Sequence, residues 1–191
     1  MQPKQEVISA WRASAPFWEK HREIIREMFA PVTQALVEDG LIGSGNTVLD
    51  IATGPGEPAL TIAALVGSEG EVFGIDPAPE MVDAARRATD HLGFRNAQFE
   101  VASADRLPFP ADTFDAVVSR FGVMFFPSPV DGVREMLRVL KPGRNLALQS
   151  GISPKTIRFT TRWRGSSNGL SIRHPLRPML RTHSALPTQA S

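Results

Sequence analysis

Two carboxylates and a glycine turn carry the chemistry legible in this chain. The run Val48-Leu49-Asp50-Ile51-Ala52-Thr53-Gly54-Pro55-Gly56-Glu57-Pro58 passes from apolar residues through an acid into a turn and a helix start. The apolar part reads as a buried strand. Gly54 and Gly56 let the backbone turn tightly and let a ligand approach closely. Pro58 suits the first turn of a helix, where its missing N–H costs nothing. Such a strand–turn–helix opens a doubly wound sheet, at the place where these folds hold nucleotides. A second strand ends in Asp76, roughly 20 residues after the glycine turn, where an acidic side chain takes ribose hydroxyls. A carboxylate accepts from both hydroxyls at once, and charge-assisted bonds are the strong ones. Capping the next helix is the other use open to Asp76.

Gly54-Pro55-Gly56-Glu57-Pro58-Ala59 fits the G-x-G-x-x-G/A pattern, so a dinucleotide such as NAD has to be weighed. Asp50, at the strand end and facing the ligand region, would repel a diphosphate. Glu57 and Pro58 add negative charge and remove a donor where phosphate wants N–H groups. A cationic adenosine derivative without phosphates fits better, and S-adenosylmethionine (SAM) is one. The stretch resembles motif I, D-x-G-x-G-x-G, of the class I SAM-dependent methyltransferases. In this chain Ala52 replaces the first glycine. The form Asp-Ile-Ala-Thr-Gly-x-Gly is most similar to the ubiquinone/menaquinone-biosynthesis (type 11) branch.

Two later segments extend the resemblance. Ser103-Ala104-Asp105-Arg106-Leu107-Pro108-Phe109-Pro110 resembles the family's D-A-E-x-L-P-F-P segment, which holds adenine, with Ser103 in place of its Asp. Leu137-Arg138-Val139-Leu140-Lys141-Pro142-Gly143 resembles L-R-V-L-K-P-G-G, with Arg144 in place of the second glycine. The resemblance covers about residues 10–150. It implies cofactor contacts from Asp50, Ala52, Thr53, Gly54 and Gly56, then Asp76, Pro77 and Met81, then Ser103, Ala104 and Asp105, and lastly Ser119 and Arg120. Arg120 is a candidate for the cofactor carboxylate, for an anionic substrate, or for plain solvation. No motif identifies a general base; His21, Glu19 and Asp105 are the candidates. The implied activity is methyl transfer from SAM to a small-molecule acceptor. A SAM-binding but impaired fragment is the alternative. An NAD-dependent oxidoreductase is disfavoured by Asp50 and by the lack of any Tyr for a Tyr-x-x-x-Lys pair.

The elements that must position these residues follow the same pattern. The expected fold is α/β: a doubly wound, Rossmann-like parallel sheet with N-terminal helices and an irregular C-terminal tail. Residues 1–40 read as helical, divided into about three pieces by Pro16 and Pro31; the resemblance implies a lid over the cofactor, and simple packing of their apolar faces on the core is the alternative. Residues 41–150 read as the SAM-binding domain, with strands at 47–51, 71–76, 97–102, 114–119 and 146–148. Helices are expected at 59–66, 79–92 and 129–140, the first two stopped by Gly67 and Gly93.

Length and charge bound the rest. The chain has 191 residues, enough for one domain with a core. It has no Cys, so disulfides and a thiolate zinc site are excluded, and no metal is expected. It shows no membrane-length apolar run and no signal-peptide pattern, and a cytoplasmic protein is the expectation. Residues 151–191 hold seven Lys and Arg and no acid, leaving a net charge of −6 on the first 150 residues. That acidic body gives no nucleic-acid footprint.

The tail 151–191 breaks the pattern, and no alternating or helical period is read in it. It reads as a frameshift product. One choice of codons for residues 149–167, shifted by a base, yields A-V-W-H-F-A-E-N-N-P-F-Y-Y-T-V-A-R-V-I, similar to the family's exit from strand five. A natural basic tail for nucleic acid or an acidic partner is the rival. In both cases the family's antiparallel edge hairpin is expected to be missing. The fifth strand would then present an open edge, with lowered stability and some aggregation.

Overall fold

The computed structural model describes residues 4–151 and 157–162. Three helices come first: α1 (Lys4–Lys20), α2 (Arg22–Met28) and α3 (Ala30–Gly40). The α/β units follow as β1 (Thr47–Ile51), α4 (Ala59–Val66), β2 (Glu71–Asp76), α5 (Pro79–Leu92) and β3 (Ala97–Val101). The chain then runs through β4 (Phe114–Arg120), α6 (Pro129–Val139), β5 (Leu140–Ser150) and β6 (Ile157–Arg162). One sheet holds all six strands in the order β3-β2-β1-β4-β5-β6. Strands β1 to β5 run parallel, and β6 pairs antiparallel to β5. The order reverses between β1 and β4, and a crevice forms beyond the carboxyl ends of strands at such a point.

Alternation along each strand builds two cores, one on each face. Val48, Val72 and Val118 pack with Leu60, Ile62, Val66, Val82 and Ala85 of α4 and α5. Leu49, Ile51, Ile75 and Val117 pack on the other face with Phe114, Met136, Leu140 and Leu146. Helix α4 buries Ala59, Leu60, Ile62, Ala63 and Val66, which is why so short a segment is almost wholly apolar. Helix α5 ends at Gly93, whose φ of 73° closes the last turn in the left-handed region.

The bounds of β1, α4, β2 and α5 fall where the sequence places them. Small differences appear later. Strand β3 ends at Val101 and β4 reaches Arg120, while Leu140 belongs to β5 and not to α6. A register shift sets Leu140 opposite Phe114 and Asn145 opposite Ala116, absorbing residues 141–144. The N-terminal region has three helical pieces, and Pro31 stands at the start of α3. Pro16 lies inside α1, however, and the first break falls at His21.

The expected open edge is overturned. Residues 157–162 form β6, which lies against β5 from Ser150↔Ile157 to Asn145↔Arg162. The tail is therefore not irregular throughout, and the destabilisation inferred from a bare β5 edge loses its basis. The signal was present in sequence: Ile157, Phe159 and Thr161 alternate with Arg158, Thr160 and Arg162. The remaining tail residues, 152–156 and 163–191, lie outside the described residues. Among the described residues no helix is long and apolar enough to cross a membrane.

Candidate active site

A cavity of about 720 Å³ lies beyond the carboxyl ends of β1, β2 and β4, at the reversal of strand order. Helices α1 and α2 roof it. Its size is that of a small-molecule site.

The turn after β1 makes the floor. Ala52, Gly54 and Gly56 all have positive φ, at 59°, 56° and 106°. Ala52 thus holds a left-handed conformation where motif I carries glycine, at the modest strain of a Cβ in that region. Ala52, Thr53 and Gly54 line the cavity as expected. Gly56 does not. A Cβ there would stand 2.9 Å from Leu60 Cδ1 and 3.4 Å from Ala85 Cα, so Gly56 lets α4 and α5 pack closely. Gly122, which the sequence did not single out, plays a similar part after β4. A Cβ on it would meet Ala52 Cβ at 2.5 Å and Ser119 Oγ at 2.6 Å.

Asp76 stands on the cavity wall, 7% exposed. Its Oδ2 accepts from Gly54 N at 3.0 Å and its Oδ1 from Ala78 N at 2.9 Å. One carboxylate therefore ties the glycine turn to the start of α5. Burial raises its pKa, and the two N–H groups partly offset that. Each oxygen retains a lone pair for a ligand hydroxyl. Pro77, Met81, Ser103 and Ala104 complete this side of the cavity.

Asp50 is fully buried and does not line the cavity. Alternation turns it to the side of Val48, and its neighbour Ile51 reaches the cavity instead. The expectation that Asp50 faces the ligand is corrected: it lies beneath the floor. Neither of its oxygens nor Thr53 Oγ1 has a partner within hydrogen-bond geometry. Burial pushes the Asp50 carboxyl up to about 7, while Thr53 and the Arg120 charge pull it down. Ser119 is also buried below the cavity, its hydroxyl donating to Ile51 O at 2.8 Å. Asp105 stands outside the lining as well.

Arg120 does reach the cavity. Its Nη1 donates to Thr33 Oγ1 at 2.9 Å, its Nη2 to Glu57 O at 3.1 Å, and its guanidinium lies 5.3 Å from the Phe29 ring centroid. Burial lowers its pKa, while the Asp50 and Glu57 charges raise it. Arg22 joins it, a residue that no motif marks. Its Nη2 donates to Pro55 O at 3.1 Å and Ala84 O at 3.0 Å, and its Nε is buried without a partner. Glu57 also lines the cavity; its Oε2 accepts from Thr61 Oγ1 at 2.7 Å, and burial raises its pKa.

Aromatic side chains form the opposite wall. Trp11 meets Phe125 edge-on at 5.1 Å, and Phe29 meets Phe121 in the same manner at 5.1 Å. Trp18 and Phe126 also line it. None of the three candidate bases lines the cavity. His21 packs on Phe17 at 4.5 Å, and Glu19 is taken by Arg87 at 2.8 Å.

A reversed strand order, a left-handed turn after the first strand and an acid closing the second define a Rossmann-like domain. The chain belongs to the family described as Methyltransferase domain, which residues 48–143 match, and so to the class I SAM-dependent methyltransferases. It is 33% identical over 149 residues to aklanonic acid methyltransferase DauC of Streptomyces sp. (strain C5), covering 78% of this chain and 66% of that one. It is 43% identical over 103 residues to ubiquinone/menaquinone biosynthesis C-methyltransferase UbiE of Azotobacter vinelandii, covering 53% of this chain and 41% of that one. The crystal structure of a SAM dependent methyltransferase from Aquifex aeolicus superposes with a TM-score of 0.58 at 32% identity, over 61% of this chain and 62% of that one. The chain thus spans between two fifths and two thirds of the length of these curated relatives.

Proposed function

We propose that the cavity binds SAM and that the chain transfers its methyl group to a small-molecule acceptor. The supporting observation is Asp76, a buried acid on the cavity wall held by Gly54 N and Ala78 N. Such a carboxylate suits the paired hydroxyls of a ribose. The backbone of 52–54 offers a close approach beside it. At the start of α4, Glu57 is buried and Pro58 has no N–H, so a diphosphate finds repulsion and one donor fewer. The fit is therefore to SAM and not to NAD.

Bound there, SAM would supply the methyl electrophile. The residues of this chain hold the cofactor, orient the acceptor and exclude water; the aromatic wall under α1 serves the last task. The names of the relatives include an acid and a quinone pathway as settings for methylation. They support a small organic acceptor here as well.

Calorimetric titration with SAM, and with NADH in parallel, tests the reading. SAM should bind and NADH should not. Asp76→Ala should weaken SAM binding by about 1.5–3 kcal/mol, the range for hydrogen bonds to a charged group. Unchanged affinity would remove Asp76 from the site. A labelled-methyl assay then separates an enzyme from an inert binder.

A further inference from the structure

We propose that the acceptor enters this cavity already ionised, as a flat carboxylate or phenolate, and that Arg120 and Arg22 receive its charge. The inference rests on the reading of the cavity as a methyl-transfer site.

Three observations carry it. First, the cavity holds two guanidiniums that lack carboxylate partners. Arg120 spends two of its N–H groups on a hydroxyl and a carbonyl, Thr33 Oγ1 and Glu57 O. Arg22 gives one nitrogen to two carbonyls and leaves its buried Nε unpaired. Asp50 and Glu57 attract Arg120, and Glu19, Glu57 and Glu23 attract Arg22, but none of these acids forms an ion pair with either guanidinium, and the unmade hydrogen bond of Arg22 Nε is itself costly. An anion in the cavity that these two residues line brings a counter-charge to them. Second, the acids that might neutralise them are restrained. Asp76 is bonded to two backbone N–H groups, Glu57 accepts from Thr61, and Asp50 lies under the floor. Guanidiniums stay charged, whereas burial pushes all three carboxyls toward their neutral forms. Third, the rest of that wall is aromatic. Phe29 lies under the Arg120 guanidinium, and Phe121, Phe125 and Trp11 continue the surface. Planar rings stack on such a wall, and an acid on the ring edge reaches the arginines.

The chemistry agrees. The acceptor's lone pair forms the bond to the methyl carbon as the sulfur–carbon bond breaks and its electron pair stays on sulfur. A carboxylate or phenolate has no proton left to lose, so the step needs no base. His21, Glu19 and Asp105, the candidate bases, lie outside the cavity lining. An anion meeting a sulfonium also annihilates charge, which a water-poor cavity favours over solution.

The test uses the full chain saturated with S-adenosylhomocysteine and two probes, 1-hydroxy-2-naphthoate and its carboxamide. The acid should bind at least about tenfold more tightly than the amide, the worth of one charge-assisted bond. Arg120→Gln and Arg22→Gln, each checked for an unchanged thermal transition, should erase most of that preference. Arg120→Lys should keep part of it. Equal binding of the two probes by the unaltered chain overturns the inference alone. So does a preference that survives both glutamine variants. Failure of the unaltered chain to bind S-adenosylhomocysteine overturns the cofactor reading and the inference together. If instead each glutamine variant loses S-adenosylhomocysteine and acid in parallel, the arginines serve the cofactor carboxylate and the inference falls.

Discussion

Between pH 4 and 7 the buried Asp50 carboxyl holds a proton that the unfolded chain would release, because its value rises from 3.8 to about 7 on folding. The sign follows directly. The stability contributed by the protonated form is complete below about pH 4 and is lost as pH rises through about 7. Asp50→Asn keeps the shape and removes the ionisation. It should be more stable than the natural chain at pH 8, by up to about 4 kcal/mol, with the gap closing toward pH 4. Urea titrations of both proteins across that range check this; a pH-independent gap would mean that Asp50 does not titrate there. At this scale the sequence was half legible. Asp76 could be read because strand, turn and spacing fix its place. Asp50 was misplaced because one residue of strand register decides which face a side chain takes. Arg22 was not legible, since its partners Pro55 and Ala84 reach it only after α2 has docked.

Two kinds of contact hold α1 over the cavity, and their magnitudes differ. Arg12–Glu80 at 2.7 Å and Glu19–Arg87 at 2.8 Å are largely solvent-exposed pairs, which water screens. The apolar seat is the stronger term: Ala15 packs with Ala78 and Met81, flanked by Trp11 and Trp18. Arg12→Ala should therefore leave stability nearly unchanged. Trp11→Ala should lower it by about 2 kcal/mol or more, since it also loses the Phe125 edge contact. Equal losses in denaturant titrations would place the lid's attachment in its ion pairs. A second element-level contact is the approach of the β4 exit to the glycine turn. Gly122→Ala would drive a methyl to 2.5 Å from Ala52 Cβ, and should destabilise by about 1–3 kcal/mol. A melting temperature matching the natural chain would show that the turn yields freely. Element bounds were the most legible feature, because Gly67, Gly93, Pro31 and Pro79 mark the ends of apolar runs. Pro16 misled, since the helix continues through it.

The sheet as a whole depends on its last strand. Without β6, the Asn145–Ser150 stretch of β5 would expose unpaired backbone, an invitation to pair with another chain. Thr161→Pro removes an N–H from the strand opposite Leu146, at a position where β5 turns its backbone toward β6. It should lower the thermal transition and raise light scattering at elevated concentration. A variant that melts and scatters like the natural chain would show that β6 adds little. This strand escaped the sequence reading because its six residues were averaged with a long polar, basic surround. Strands β1 and β4 were legible because they are mostly apolar and buried on both faces, and β3 because buried Ala97 and Phe99 alternate with exposed Gln98 and Glu100.

The reversed direction of β6 also has a practical result for anyone attaching this protein to a surface. Ile157 sits beside Ser150, near the mouth of the cavity, whereas Arg162 sits beside Asn145, toward the opposite end of the sheet. A tether fused directly behind Arg162 would therefore leave from the far pole of the molecule, and a sensor chip prepared in that way would keep the ligand entrance turned toward the flow.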